Sequence, residues 1–297
     1  MNGILKRYLS ANGAVVCSVL DGTEMISELE RIHHPSAVVT AALGRLSMAA
    51  SLIGYDLKNP DDTVTVRLDG GGPAGILLAV ADYHGNVKSY ADNPIVELPL
   101  NAKGKLDVAG AVGTDGTLYV IKDLGLKEPY SGQIALVSGE IAEDVTQYFA
   151  SSEQIPSACG LGVLVNPDLT VAKAGGYLIQ LLPFAPEETI AQLERNLAGI
   201  TSITAMLEQG MTAEDIANRL LNGLDAELLD ESTPAYRCDC SRERTERMLR
   251  SLDKQSLLDM ANEMPEIEVC CHFCTNKYVF TPNEVRTMAE EKEKQDC

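Results

Sequence analysis

The residues of this chain best suited to chemistry are its eight cysteines, and four of them are spaced as a set. Cys238-Asp239-Cys240 is followed, thirty residues later, by Cys271-His272-Phe273-Cys274. Two close pairs offer four sulfurs, which is the number one zinc ion takes in a closed tetrahedral site. The second pair has CxxC spacing, while the first, CxC, is tighter than in a standard zinc ribbon. Two vicinal thiol pairs are also two potential disulfides, so such a site can report redox state as well as hold a fold. CxC with CxxC matches neither common ferredoxin spacing, which argues against an iron–sulfur cluster.

Other candidates are weaker. Cys270 adjoins Cys271 and could exchange as a ligand or form a mixed disulfide, but the spacing favours Cys271 and Cys274. His272 offers a nitrogen ligand that four cysteines make unnecessary. Cys297 reads as an exposed terminal thiol, and Cys17 and Cys159, in and just before apolar strands, as buried packing residues. Arg237, Arg242 and Arg244 flank the first pair, and nearby cations favour thiolate. His33-His34 reads as a helix-end surface pair. The Gly70–Gly75 loop lacks both the GK[ST] of a P-loop and GxGxxG spacing, so it reads as a tight turn. No Ser/His/Asp or Cys/His catalytic set emerges, and the chain reads as a non-enzyme.

The rest of the sequence must position the cysteines. With 297 residues, 45% of them apolar, the chain can bury a sizeable core and is expected to hold more than one domain. The start, MNGILKRYLS, has no apolar signal core, and no stretch reads as a membrane span. A cytoplasmic location is expected, where clustered cysteines read as metal-binding or redox-sensing. A net charge of −19 repels phosphate backbones, and the lack of Trp removes the best stacking residue, so nucleic acid is not an expected partner.

The predicted fold class is α+β. Residues 1–182 form a mixed sheet-and-helix core domain with strands at 13–20, 63–68, 75–81, 117–124, 133–137, 161–165 and 170–182, and helices at 23–31, 36–53 and 140–152. Residues 183–237 read as a helical linker. Ile190, Leu193, Leu197, Ile200, Ile203 and Leu207 form the stripe of one amphipathic helix, and a second runs from Thr212 or Ala213 to Leu224. Three Lys/Arg against ten Asp/Glu make this segment acidic. Its helices need a surface to dock on, most simply the core domain. Residues 238–297 form a small four-cysteine zinc module, with Ser241 capping a helix to about Leu252, short strands near Val269 and at 277–280, and a capping box at Thr281-Pro282-Asn283-Glu284. Only about a dozen apolar side chains are available to such a module, so a metal worth roughly 10–16 kcal/mol decides whether it folds.

The string Cys238-Asp239-Cys240-Ser241-Arg242-Glu243-Arg244 together with Cys271-His272-Phe273-Cys274 resembles the zinc-switch signature of the heat-shock protein 33 family, which comprises redox-regulated, ATP-independent holdase chaperones. Asp69-Gly70-Gly71-Gly72-Pro73, Gly85-Asn86-Val87, Ser138 through Asp144, Ser152 through Ala158, and Ala174-Gly175-Gly176-Tyr177 are similar to that family's core motifs, in the same order. The resemblance implies one zinc ion held in the reduced state by Cys238, Cys240, Cys271 and Cys274. It further implies disulfides Cys238–Cys240 and Cys271–Cys274 on oxidation, zinc loss, release of the linker, binding of unfolded client proteins and a homodimer when active.

Two other classes compete. A zinc-stapled protein adaptor without redox switching fits the same cysteines. Nine Lys/Arg against thirteen Asp/Glu in 238–297 disfavour a nucleic-acid ribbon but not such an adaptor. A thiol–disulfide oxidoreductase using Cys271 and Cys274 would need a helix after CxxC, where residues 277–280 read as a strand.

Overall fold

The computed structural model describes residues 2–200 and 202–295. It divides into two compact units, Met1–Arg237 and Cys238–Cys297.

In the first unit, the chain order is β1 (Ile4–Leu9), β2 (Val15–Asp21), α1 (Thr23–His33), α2 (Ala37–Gly54), β3 (Thr63–Asp69), β4 (Leu77–Asp82), β5 (Val87–Ala91), α3 (Val108–Val112), β6 (Thr117–Asp123), β7 (Tyr130–Ala135), α4 (Ala142–Tyr148), β8 (Ser157–Val165), β9 (Val171–Leu181), α5 (Glu187–Ala198), α6 (Ile203–Glu208), α7 (Ala213–Leu220) and β10 (Glu227–Ser232). Two five-stranded sheets result, ordered β10-β1-β2-β9-β8 and β5-β4-β3-β6-β7. All of their strand pairs are antiparallel. Turn-linked strands dominate over βαβ crossovers, which makes this an α+β fold.

The helix α2 is rich in small and apolar residues and is buried nearly all round, packing against strands of both sheets. It alone among the described residues is long and apolar enough to cross a membrane, and 89% of that stretch is buried inside the unit. It is the central core helix. The other face of the first sheet, carrying Val15, Cys17, Val19 and Ile179, is covered by Leu193, Ile203, Met206, Leu207, Ile216 and Leu220 from α5–α7. The acidic helical segment is thus docked on the sheet through its apolar stripe.

Several expectations need correction. The stripe from Ile190 to Leu207 belongs to two helices rather than one. The break follows Gly199, and Ser202 is extended (φ −165°, ψ 137°) before α6 begins. The hydrophobic spacing continues through the break because both helices face the same sheet. Residues 227–232 are not helical but pair with β1. Helix 140–152 narrows to α4, opened by Ile141 at φ 74° and followed by a wider π-turn at Phe149–Glu153. The buried Asp144 carboxylate fixes that opening by accepting from the amides of Val137 (2.7 Å), Ser138 (3.1 Å) and Ile141 (2.9 Å), which accounts for the polar residues of the 138–144 motif. In the Gly70–Gly75 turn, a Cβ on Gly70 would lie 2.4 Å from the Val112 carbonyl oxygen, so close backbone approach requires glycine there.

The end of the linker segment is pinned. Tyr236 is buried, and its hydroxyl donates to the Ser89 carbonyl (2.6 Å), accepts from the Ser89 amide (3.1 Å) and meets His33 Nε2 (2.8 Å). Val87 N–H donates to Ala235 O (3.0 Å), and Arg237 N–H to Val87 O (2.8 Å). His33 is therefore tied to the returning chain rather than simply solvated. His34 caps α1 in the left-handed region at φ 44°.

Candidate metal centre

The second unit contains α8 (Arg242–Ser251), α9 (Lys254–Glu263), β11 (Ile267–Cys270), β12 (Lys277–Phe280) and α10 (Pro282–Gln295). Ser241 caps α8 by accepting from the Arg244 amide (3.2 Å), and Thr281 with Glu284 forms the capping box of α10. The helix α9 escapes the sequence reading. Its signal is Asp253, whose carboxylate accepts from the Ser256 amide at 2.9 Å. The core of this unit is small: Leu249, Leu257, Ala261, Ile267, Phe280, Val285, Met288 and Ala289.

The strands β11 and β12 form an antiparallel hairpin with Cys270 opposite Lys277. Between them the chain turns tightly. Cys271 N–H donates to Asn276 O and Thr275 N–H to Cys271 O, both at 2.9 Å, with Thr275 at φ 59°. This turn presents Cys271 and Cys274, and the extended run before α8 presents Cys238 and Cys240. The four sulfurs lie within 4.8 Å of one another. The contacts that cross between the pairs are Cys238–Cys271 at 3.7 Å and Cys240–Cys274 at 3.2 Å, and all four are free thiols. Four sulfurs about 2.3 Å from one zinc ion would sit about 3.8 Å apart. The set therefore fits a zinc ion in number, chemistry and spacing.

A residue not anticipated from the sequence completes the surroundings: Tyr278 on β12 donates its hydroxyl to Cys240 Sγ at 3.1 Å. Burial pushes the Cys240 thiol up, but hydrogen bonding from Tyr278 and the neighbouring thiols outweighs burial and lowers it to about 7. Burial, with the other thiols adding to it, raises Cys238 to about 11 and also holds Cys274 above its ordinary value. The hydrogen bond to Cys240 raises Tyr278 to about 12. Four clustered thiols without a cation cannot all ionise together, and a dication is the natural complement.

The flanking arginines act otherwise than their spacing suggested. Arg242 donates to Val279 O (2.6 Å) and Glu284 (2.7 Å) and stacks on the Phe280 ring, and Arg244 pairs with Asp239. Their charges are engaged by carboxylates, so they brace the module. Cys270 is exposed and lies outside the group of four, with its thiol 3.6 Å from Thr275 O. Cys17 is fully buried in β2. Cys159 lies within β8 rather than before it, its thiol raised to about 12 by burial. Cys297 is outside the described residues.

A sequence profile of the Hsp33 protein family matches residues 4–281. The chain belongs to the Hsp33 family. This Hsp33 member is 46% identical over 288 residues to the 33 kDa chaperonin of Agathobacter rectalis, covering 97% of this chain and all of that one. It is also 46% identical over 291 residues to the 33 kDa chaperonin of Clostridioides difficile, covering 98% of this chain and 100% of that one. The crystal structure of the 33 kDa chaperonin from Thermotoga maritima superposes on this Hsp33 with a TM-score of 0.90 at 37% identity, covering 99% of both chains.

Proposed function

We propose that this Hsp33 is a redox-regulated, ATP-independent holdase of the cytosol, switched by Cys238, Cys240, Cys271 and Cys274. The observation that carries the reading is the convergence of four thiols in a module with only eight buried apolar side chains. A core of that size is marginal without a staple, and bound zinc would supply about 10 kcal/mol or more of folding energy. In the reduced state the four thiolates hold the ion, and the acidic helices stay on the sheet.

Peroxide removes the donors in pairs. One thiolate attacks a peroxide oxygen, leaving a sulfenic acid and releasing hydroxide. The second thiolate displaces the sulfenic hydroxyl as water, so that two thiols and one peroxide give one disulfide and two waters. Disulfide sulfur no longer carries the charge that binds a dication. The module loses its fold, α5–α7 are released, and the apolar face they covered becomes available to unfolding proteins. The family resemblance pairs Cys238 with Cys240 and Cys271 with Cys274, whereas the two short contacts of the folded module run between the pairs. Peptide mapping of the oxidised protein distinguishes the two patterns. A homodimer is the expected active form.

The test is light scattering from a denatured client diluted into ATP-free buffer. Suppression by the peroxide-treated protein alone supports the switch. Equal failure of the reduced and oxidised forms leaves the cysteines as the staple of a protein adaptor.

A further inference from the structure

A cavity of about 950 Å³ runs along the free side of β8, which is the edge strand of the first sheet. Edge strands carry unpaired backbone donors and acceptors, and folded proteins usually cover them. At the start of β8 this happens: the outward amide of Cys159 donates to Thr146 Oγ1 of α4 at 3.1 Å. Strand alternation then turns the N–H and C=O of Leu161 and Val163 to the same side. Among the described residues nothing bonds to them. A second unmet donor lines the cavity. Arg45 on α2 binds Glu140 through Nη1 at 2.5 Å, but its Nε is buried without a partner.

The walls suit side chains as well as backbone. Val163 faces α2, its Cγ2 within 2.9 Å of where a Cβ on Gly44 would stand. Gly162 faces α6 in the same way, 2.9 Å from Ile203 and Thr204 methyls. A strand laid beside β8 would therefore alternate its side chains between an α2 wall with Ala37 and Ala41 and an α6 wall with Ile200 and Ile203. The occupant must present backbone donors and acceptors at ladder spacing, apolar groups on both faces, and an acceptor for the Arg45 cation.

We propose that the outer edge of β8 receives an extended apolar polypeptide segment as a sixth strand, so that clients are bound by strand addition. This rests on the holdase reading for the identity of the ligand, and it assigns the docked helix α6 as one wall of the site. The open stretch from Leu161 to Val165 accommodates about five residues, or roughly 17 Å of strand.

The experiment uses the full-length protein and a fluorescent, capped apolar hexapeptide carrying a benzophenone. Binding is read by anisotropy, and attachment by mass mapping. Methylating the peptide's amides on one alternating set should weaken binding by about tenfold, and on the other set should leave it unchanged, because only one edge of a strand meets β8. Cross-links should fall on α2 and α6 residues of the cavity. Leu161→Pro, which removes one outward N–H, should weaken the peptide similarly. Insensitivity to both methylation patterns, or cross-links confined elsewhere, overturns the proposal even if the oxidised protein suppresses aggregation. Loss of dimerisation in Leu161→Pro with no competition from the peptide also overturns it, by assigning the edge to a second copy of the chain. Conversely, peptide binding at β8 by a protein that never suppresses aggregation keeps the site and discards the holdase reading.

Discussion

Ile216→Ala tests whether the acidic helical segment comes away from the sheet as a separate unit. Ile216 is fully buried in the cluster that α7 makes with Val15, Cys17 and Val19. Truncating a buried Ile to Ala costs about 2–5 kcal/mol. An eight-residue helix has no stability of its own in water, capping box or not, so the loss falls on docking. At about 1.4 kcal/mol per decade, the undocked population should rise roughly 30- to 5,000-fold. Native-state hydrogen exchange of the Ala213–Leu220 amides reads that population directly. The control is Leu68→Ala, equally buried but in the second sheet, which should lower global stability without speeding α7 exchange. If both variants accelerate α7 to the same extent, the helix opens only with the whole unit and the release step is wrong. A correct release step also predicts partial suppression of client aggregation by reduced Ile216→Ala.

Cys271→Ser should drop zinc content below one per chain and erase the helical signal of the second unit, whereas Cys270→Ser should leave both intact, as metal analysis and circular dichroism would show. Tyr236→Phe removes the hydroxyl shared with Ser89 and should cost about 1–3 kcal/mol in denaturant unfolding, the penalty for leaving buried backbone groups unmet. Gly162→Val drives a side chain into Ile203 and Thr204 and should destabilise α6 docking by about 1–3 kcal/mol, seen as faster exchange across α6.

The parts of this fold legible in the sequence are those where one local rule dominates. Alternation marks β3 and β6, caps mark α8 and α10, and cysteine spacing marks the thiol cluster. What escaped depends on distant partners. Glu227–Ser232 has no strand-like alternation of burial, since all but its last residue are exposed, and it is a strand only because β1 offers an edge. The break between α5 and α6 hides because both helices keep their apolar residues toward one sheet. Tyr278 could not be tied to Cys240 without the hairpin register, and Arg242 and Arg244 find carboxylates that spacing to the cysteines does not reveal.

The pinning of Tyr236 bears on how the protein would let go of what it holds. The docked helices lie between β9, which ends at Leu181, and a return strand fixed along β1 and β5. Chain that detaches between two such anchors is a loop rather than a tail, and it gains less entropy than a free end would. Its high effective concentration near the sheet favours recapture once the thiols are reduced. Discharge would then be a competition for one surface, won by the tethered segment and needing no nucleotide to drive it.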